Sequence, residues 1–368
     1  MKKVVIAPDS FKGTLSSAEV CETVRDVLIE KYGEIEVVEI PIADGGEGMT
    51  DSFLYAFPDS QKIYMRARSP LGREIEVYYG IIEGDTAVIE MAAASGITIE
   101  ENNNAVKAST YGTGEIIKHA LDRGIRKFVI GIGGSATTDG GIGCTAALGG
   151  RFLNKDGQSV PLCGEGLSEI ERIDLSQLDR RLKESEITVL CDVKNPLYGK
   201  KGAAYIFGPQ KGADPEIVEF LDAGLFKLAA KSQEYLKKDY SQCEGAGAAG
   251  GLGFALVAFF GAELKRGIEA ILDITHFEEK TVGADLVITG EGKMDEQSLM
   301  GKVPFGIASR SKGKKTIAIV GLNMADMQKV INAGISEVIE TNPMHLPFEQ
   351  IKANAKEDLI KAAGKIIV

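Results

Sequence analysis

Residues 129–143 read VIGIGGSATTDGGIG, a short apolar run that breaks into glycines, hydroxyls and one carboxylate. Val129 and Ile130 read as the end of a buried strand, and Gly131, Gly133 and Gly134 let main chain approach a ligand that any Cβ would hold away. Ser135, Thr137, Thr138 and Asp139 add three hydroxyls and an anion before Gly140, Gly141 and Gly143 lead into an apolar segment. The chain must therefore pass here from a strand through a tight polar bend, and the bend has the make-up of a polyanion or polyol site. A ligand-free strand-to-helix turn would read the same way in isolation. Several further stretches of this kind along the chain favour the site.

Glycine supplies 44 of 368 residues, about 12% against a usual ~7%, with no collagen-like period. That excess suits tight turns and close main-chain approaches in an α/β enzyme, and the length suits two domains. A formal net charge of −11 argues against nucleic acid or an anionic membrane as partner, and leaves an anionic substrate open where cations are gathered locally. The five cysteines never fall in a CxxC pair, which fits a reducing cytosol and no structural zinc. His119, His276 and His345 lie far apart without an HExxH, so transition-metal catalysis is not expected. No signal-peptide core follows the N-terminus, and the most apolar stretch, residues 254–262, is too short to cross a bilayer. A cytoplasmic, soluble protein is the expectation.

Along the chain, residues 3–7 (KVVIA) suit a buried parallel strand, and the loop at 8–14 (PDSFKGT) leads to a helix opened by Ser16 and Glu19 at capping-box spacing. Gly33 ends that helix, and a strand over 35–42 completes a βαβ unit. The first loop then lies at the carboxyl end of a parallel strand, with a helix N-terminus directed into it, where anionic ligands bind. Residues 43–48 (ADGGEG) form a second glycine and carboxylate loop. Residues 73–92 read as a hairpin, 113–124 as a helix, 127–131 as a strand, 175–184 as a charged helix, 188–191 as a strand and 215–239 as a long amphipathic helix. From Ala284 the strand and helix alternation of the first residues resumes, with a loop expected at 290–295 (GEGKMD). A Rossmann-like parallel α/β domain is therefore expected from both chain ends, 1–68 and 285–368, with a second α/β domain, 69–284, inserted.

These loops carry what phosphoryl transfer needs: cations and amides for phosphates, carboxylates for magnesium, and a group to orient or deprotonate the attacking hydroxyl. Lys12, Lys211 and Lys293 are candidate clamps for phosphate or carboxylate; Asp44, Glu291 and Asp295 are candidate magnesium ligands; Asp192, after a buried strand, is a candidate base. Asp9, Ser10, Gly133, Gly134, Ser135, Thr137, Gly290 and Ser298 complete the candidate binding set, with Lys12 and Asp295 also candidates for catalysis. The GAGAAGGLG at 245–253 contains a formal G-x-G-x-x-G, but no strand precedes it, as a dinucleotide fingerprint requires, and no Walker motif occurs.

PDSFKGTLSS at 8–17, ADGGEG at 43–48, GIGGSATTDGG at 131–141, CDVKNPLYGKKGAAYIFGPQKGA at 191–213, GAGAAGGLG at 245–253 and ITGEGKMDEQSLMGKVPFG at 288–306 together resemble the bacterial glycerate kinase family of the first type. The resemblance runs in consistent order from residue 1 to about residue 365. It implies ATP-dependent, magnesium-requiring phosphorylation of D-glycerate, usually to 2-phosphoglycerate, on a Rossmann-like domain with an inserted domain and a cleft between them. A monomer or homodimer is expected. Four positions depart from the family pattern: Met49 in place of threonine, Lys194 in place of the acid of CDVDNP, and Lys293-Met294 in place of arginine and isoleucine. Lys194 leaves Asp192 as the acid of its motif, and Lys293 keeps a charge without a bidentate fork.

Phosphorylation of the 3-hydroxyl is an alternative outcome. An NAD-dependent hydroxy-acid dehydrogenase lacks the strand, helix and distal acid in the required order. A non-catalytic nucleotide or sugar-acid sensor would avoid carboxylates beside its anion loops unless magnesium intervened.

Overall fold

The computed structural model describes residues 2–43, 45–296, 298–342 and 346–367. Its strands are β1 (Lys3–Pro8), β2 (Glu36–Glu39), β3 (Gln61–Arg68), β4 (Glu74–Ile82), β5 (Thr86–Glu90), β6 (Lys127–Gly131), β7 (Arg151–Leu153), β8 (Arg172–Asp174), β9 (Glu186–Leu190), β10 (Glu263–Lys265), β11 (Leu286–Met294), β12 (Lys315–Asn323) and β13 (Glu337–Glu340). The chain divides into two compact units, one from residues 1–44, 51–58 and 267–368, the other from 45–50 and 59–266.

The first unit is a five-stranded parallel sheet in the order β13-β12-β11-β1-β2. Its central strands are short β-branched runs buried on both faces, and the two-residue period divides each between two cores. Val4, Ile6, Leu286, Ile288, Ile317 and Ile319 pack against helices Ser17–Tyr32 and Phe348–Gly364. Ala318 and Val320, one residue out of step, pack with Met294, Phe305, Ala308 and Val330 from the other side. The expected capping box is present: Glu19 N donates to Ser16 Oγ at 3.2 Å and Ser16 N donates to Glu19 Oε2 at 2.8 Å. Loss of such a cap costs ~1 kcal/mol.

Residues 290–294 are a continuation of β11 and not the expected loop. Gly290, Glu291 and Lys293 are register partners of Ile319, Val320 and Leu322. A Cβ on Gly290 would lie 2.1 Å from the Ile319 carbonyl oxygen, so glycine here admits the neighbouring strand. The chain leaves β1 toward β2 on one side and leaves β11 toward β12 and β13 on the other. The strand order therefore reverses between β1 and β11.

The second unit holds a six-stranded mixed sheet, β10-β9-β6-β5-β4-β3, and a small β7-β8 hairpin. β5, β6, β9 and β10 are parallel, and β3-β4-β5 form the antiparallel meander. Strand β3 pairs with β4 along its whole length, from Gln61↔Ile81 to Arg68↔Glu74. It thus lies with the second unit, where the expected boundary at 68 had left it with the first. At the other seam, helices Gly267–Ile274 and Phe277–Lys280 fall in the first unit. The expected helix at 175–184 is only the short 3-10 turn Arg180–Glu184. Asp179 caps it by accepting from Arg181 N, and Leu182 is its one buried side chain, too small an apolar face to sustain more turns. The apolar stretch forms helix Leu252–Phe260, buried nearly all round. No described helix is long and apolar enough to cross a membrane.

Candidate active site

In open parallel sheets, ligands bind outside the carboxyl ends of the strands where the order reverses. In the first unit that point lies between β1 and β11, and Asp9 and Ser10 stand there with Gly290 and Glu291. Asp9 N donates to the Gly290 carbonyl at 2.8 Å, and Asp9 Oδ1 accepts from Ser10 N at 2.7 Å. Lys12 is exposed on the loop that follows. Glu291 is only 5% exposed, and its Oε1 has no hydrogen-bond partner. Burial pushes the Glu291 carboxyl up to about 7; the Ser298 hydrogen bond and the Lys302 charge act in the opposite sense, and Asp295 adds to the rise. An orphaned, buried carboxylate oxygen is a costly feature unless a cation or proton donor arrives to satisfy it.

Asp295 and Ser298 form a tight turn beside Glu291. Asp295 N donates to Ser298 Oγ at 3.1 Å, and Ser298 N donates to the Asp295 carbonyl at 3.0 Å. Lys293 Nζ lies 3.2 Å from Asp295 Oδ2, so this candidate clamp is held by a neighbouring acid. The hard oxygen donors Glu291 and Asp295 suit magnesium. Asp44, the third expected ligand, lies outside the described residues, as does His345. Among the described residues no group of three or more His, Cys, Asp or Glu side chains could hold a metal ion.

The second unit brings together four of the stretches singled out in the sequence. β6 and β9 pair in parallel, with Gly131 opposite Leu190, so the loops that follow them leave the same edge of the sheet. Gly133 N donates to the Gly45 carbonyl at 3.2 Å, which seats the 45–48 loop on the 131–141 loop. Gly247 N donates to Asn195 O and Gly140 N donates to Gly250 O, each at 2.9 Å, which adds the 191–196 and 245–251 loops. Gly250 has φ +65°, and a Cβ there would lie 1.9 Å from the Thr137 carbonyl oxygen. The formal dinucleotide motif is therefore a packing piece in which glycine admits another loop's main chain.

Within that cluster, Gly134 is exposed and Gly133 half-buried, whereas Ser135 and Thr137 are buried. The hydroxyls of these two are engaged inside the unit. Ser135 Oγ accepts from Lys211 Nζ at 2.7 Å, and Thr137 Oγ1 donates to the Ala249 carbonyl at 3.5 Å. Lys211 is 2% exposed and also donates to the Thr137 carbonyl at 2.6 Å. Asp139 is fully buried and accepts from Thr110 N, Thr110 Oγ1, Gly141 N and Gly143 N. Burial pushes its carboxyl up, against the pull of those four bonds. Asp192, in contrast, is exposed, two residues past β9, and Lys194 pairs with Glu244 at 3.2 Å on the surface. The sequence reading missed Thr110 and Lys302. Lys302 lies within the 288–306 block without being marked there as a site residue, and only the fold brings Thr110 against Asp139 and the Lys302 charge to bear on Glu291.

The family model described as the Glycerate kinase family matches residues 4–368. The chain belongs to the glycerate kinase family. As a member it is a phosphotransferase. It is 43% identical over 369 residues to a glycerate kinase of Bacillus cereus, with 99% of this chain and 97% of the relative covered. It is 40% identical over 369 residues to a glycerate 2-kinase of Escherichia coli, again with 99% and 97% covered. The crystal structure of a candidate glycerate kinase 2 from Salmonella typhimurium superposes with a TM-score of 0.89 at 41% identity, covering 99% of this chain and 96% of that one. The α/β fold, with one sheet built from both chain ends and a second from the middle, agrees with that likeness.

Proposed function

We propose that this member of the glycerate kinase family transfers the γ-phosphoryl group of ATP to the 2-hydroxyl of D-glycerate, with magnesium, in the cytoplasm. The observation that carries the reading is the unpartnered, buried Oε1 of Glu291 at the reversal point of the parallel sheet, beside Asp9, Ser10 and Asp295. Resemblance to a glycerate 2-kinase over nearly the whole chain supports the choice of hydroxyl. The two compact units are read as two domains, the second inserted into the first.

In this reading Glu291 and Asp295 hold magnesium, as their oxygen donors allow. Magnesium, when bound, neutralises charge on the transferring phosphate. Lys12 and the amides after β1 attract the phosphates. In the second unit, the exposed Gly134 main chain, next to the Gly133 N–H held by the Gly45 carbonyl, receives an anionic group of the substrate. The glycerate oxygen attacks the γ-phosphorus as the bond to the ADP oxygen breaks, and the hydroxyl proton passes to the Asp192 carboxylate. Phosphorus NMR of the purified protein with D-glycerate, ATP and magnesium tests the proposal. A new phosphomonoester signal coupled to the C2 proton is expected. Coupling to C3 protons would give the other regiochemistry, and absence of any signal would overturn the kinase reading for this chain.

A further inference from the structure

Lys211 ends the short turn Pro209–Lys211 with its ammonium group inside the protein, where the donors it uses go to two neutral oxygens, Ser135 Oγ and the Thr137 carbonyl. An ammonium carries three donors, so the third is not accounted for by these bonds. No acid among the described residues forms an ion pair with it. The charged group that acts on it is Asp139, whose carboxylate is already held by four donors from Thr110, Gly141 and Gly143. Ser135, Thr137, Pro209, Gln210 and Gly212 are uncharged, as is Asn103, whose carbonyl lies beside Gly212. Both oxygens that Lys211 holds belong to the segment after Gly133 and Gly134. That segment is fixed on its other side by Ile97 N donating to the Gly134 carbonyl and Ala136 N donating to the Ser95 carbonyl, each at 2.9 Å.

We propose that Lys211 is a positioning residue: it sets the shape of the Gly133–Thr137 segment through two hydrogen bonds, and its ammonium group supplies the positive charge that attracts a carboxylate or phosphate of the substrate to the exposed Gly134 main chain. This rests on the reading of that segment as an anion receptor. Burial lowers the Lys211 ammonium from its usual range to about 7. An anion bound nearby favours the charged form and raises that value again, so binding and protonation support one another. Above pH 7 the anion must therefore take up a proton with it, and its affinity falls as pH rises.

The test is steady-state kinetics of the magnesium-supplied enzyme from pH 6 to 9, with D-glycerate and ATP varied separately, for the wild type, Lys211→Met, Lys211→Gln and Ser135→Ala. The wild type should show a KM for one substrate that rises above pH 7. Lys211→Met should raise that KM roughly 10-fold at pH 6 and flatten its pH dependence, with a smaller change in kcat. Lys211→Gln, which keeps a donor for Ser135 or Thr137, should recover part of the melting temperature without restoring the pH dependence. If Met does not fold, Gln and Ser135→Ala carry the test, and Ser135→Ala should keep the pH dependence while raising KM. An effect on glycerate KM assigns the carboxylate, and one on ATP KM assigns a phosphate. A wild-type pH profile in both Lys211 variants, or loss of stability with KM unchanged, would overturn the proposal. Failure of the underlying kinase reading is separate, because the wild type would then form no phosphoglycerate.

Discussion

Asp139 accepts both the backbone N–H and the hydroxyl of Thr110, each at 2.8 Å, across 29 residues of sequence. The same carboxylate takes the N–H groups of Gly141 and Gly143, so one buried side chain fixes the entry to helix Ile142–Ala147 and the start of helix Tyr111–Asp122. Asp139→Ala would leave several buried donors unpaired. A loss of about 3–5 kcal/mol in urea unfolding is expected. A loss under 1 kcal/mol would show that water or rearranged main chain satisfies those donors.

Gly250→Ala places a Cβ against the Thr137 carbonyl in a left-handed backbone. The conformational part alone costs roughly 1–2 kcal/mol, and displacement of the loop adds to it. The variant should melt several degrees lower and lose turnover together, because the displaced main chain belongs to the segment that carries Gly133 and Gly134. A normal melting temperature would mean that the two loops separate freely.

Asp192→Asn keeps size and removes the carboxylate proposed to take the hydroxyl proton. Turnover should fall by about 10²-fold or more with modest change in KM for both substrates. Near-normal turnover would remove Asp192 from the mechanism, and its exposure would then be that of a surface acid.

Glu291→Gln leaves an oxygen for the buried position but no charge to hold a divalent ion. Magnesium titration of nucleotide binding should shift to higher concentration, and removal of magnesium by chelation should bring the wild type to the level of the variant. An unchanged titration would count against the ligand role of Glu291 and shift attention to Asp295.

Lys211 also predicts a pH dependence of stability. Its ammonium titrates at 10.5 in the unfolded reference and at about 7 in the fold, so the unfolded chain binds more protons between those values. Wild-type stability therefore gains from Lys211 as pH rises from 7 toward 10, and the cost of the buried charge is fully present below 7. The melting-temperature difference, wild type minus Lys211→Met, should become more positive from pH 6 to pH 9. A constant difference would mean that Lys211 is not desolvated.

Local signals in the sequence located most elements because each has a local cause. Ser16 and Glu19 announce a helix start, and Gly33, with φ +73°, announces its end. Residues 3–7 announce a parallel strand through β-branched burial. Residues 290–294 were misread because glycines flanking acids look like a loop. Their strand character arises from β12, whose Ile319 carbonyl requires the glycine. β3 clusters with the second unit through its pairing with β4, a tertiary fact that no local signal in residues 61–68 carries. For the site, the motif blocks named Lys211, Glu291 and Asp192 as functional candidates but not their surroundings. Burial separates them: Lys211 and Glu291 are enclosed, and Asp192 is exposed.

By itself, then, the sequence determined the alternation of strands and helices, the discontinuity of the first sheet and the family resemblance, because periodicity, caps and motif order are properties of neighbouring residues. Only the tertiary structure decided that Asp139 is an internal organiser, that GAGAAGGLG is packed against Thr137, and that Glu291 has an orphaned oxygen at the reversal of strand order. Those properties depend on which distant main chain and side chains displace water, and desolvation is set by the folded surroundings and not by the residue's type.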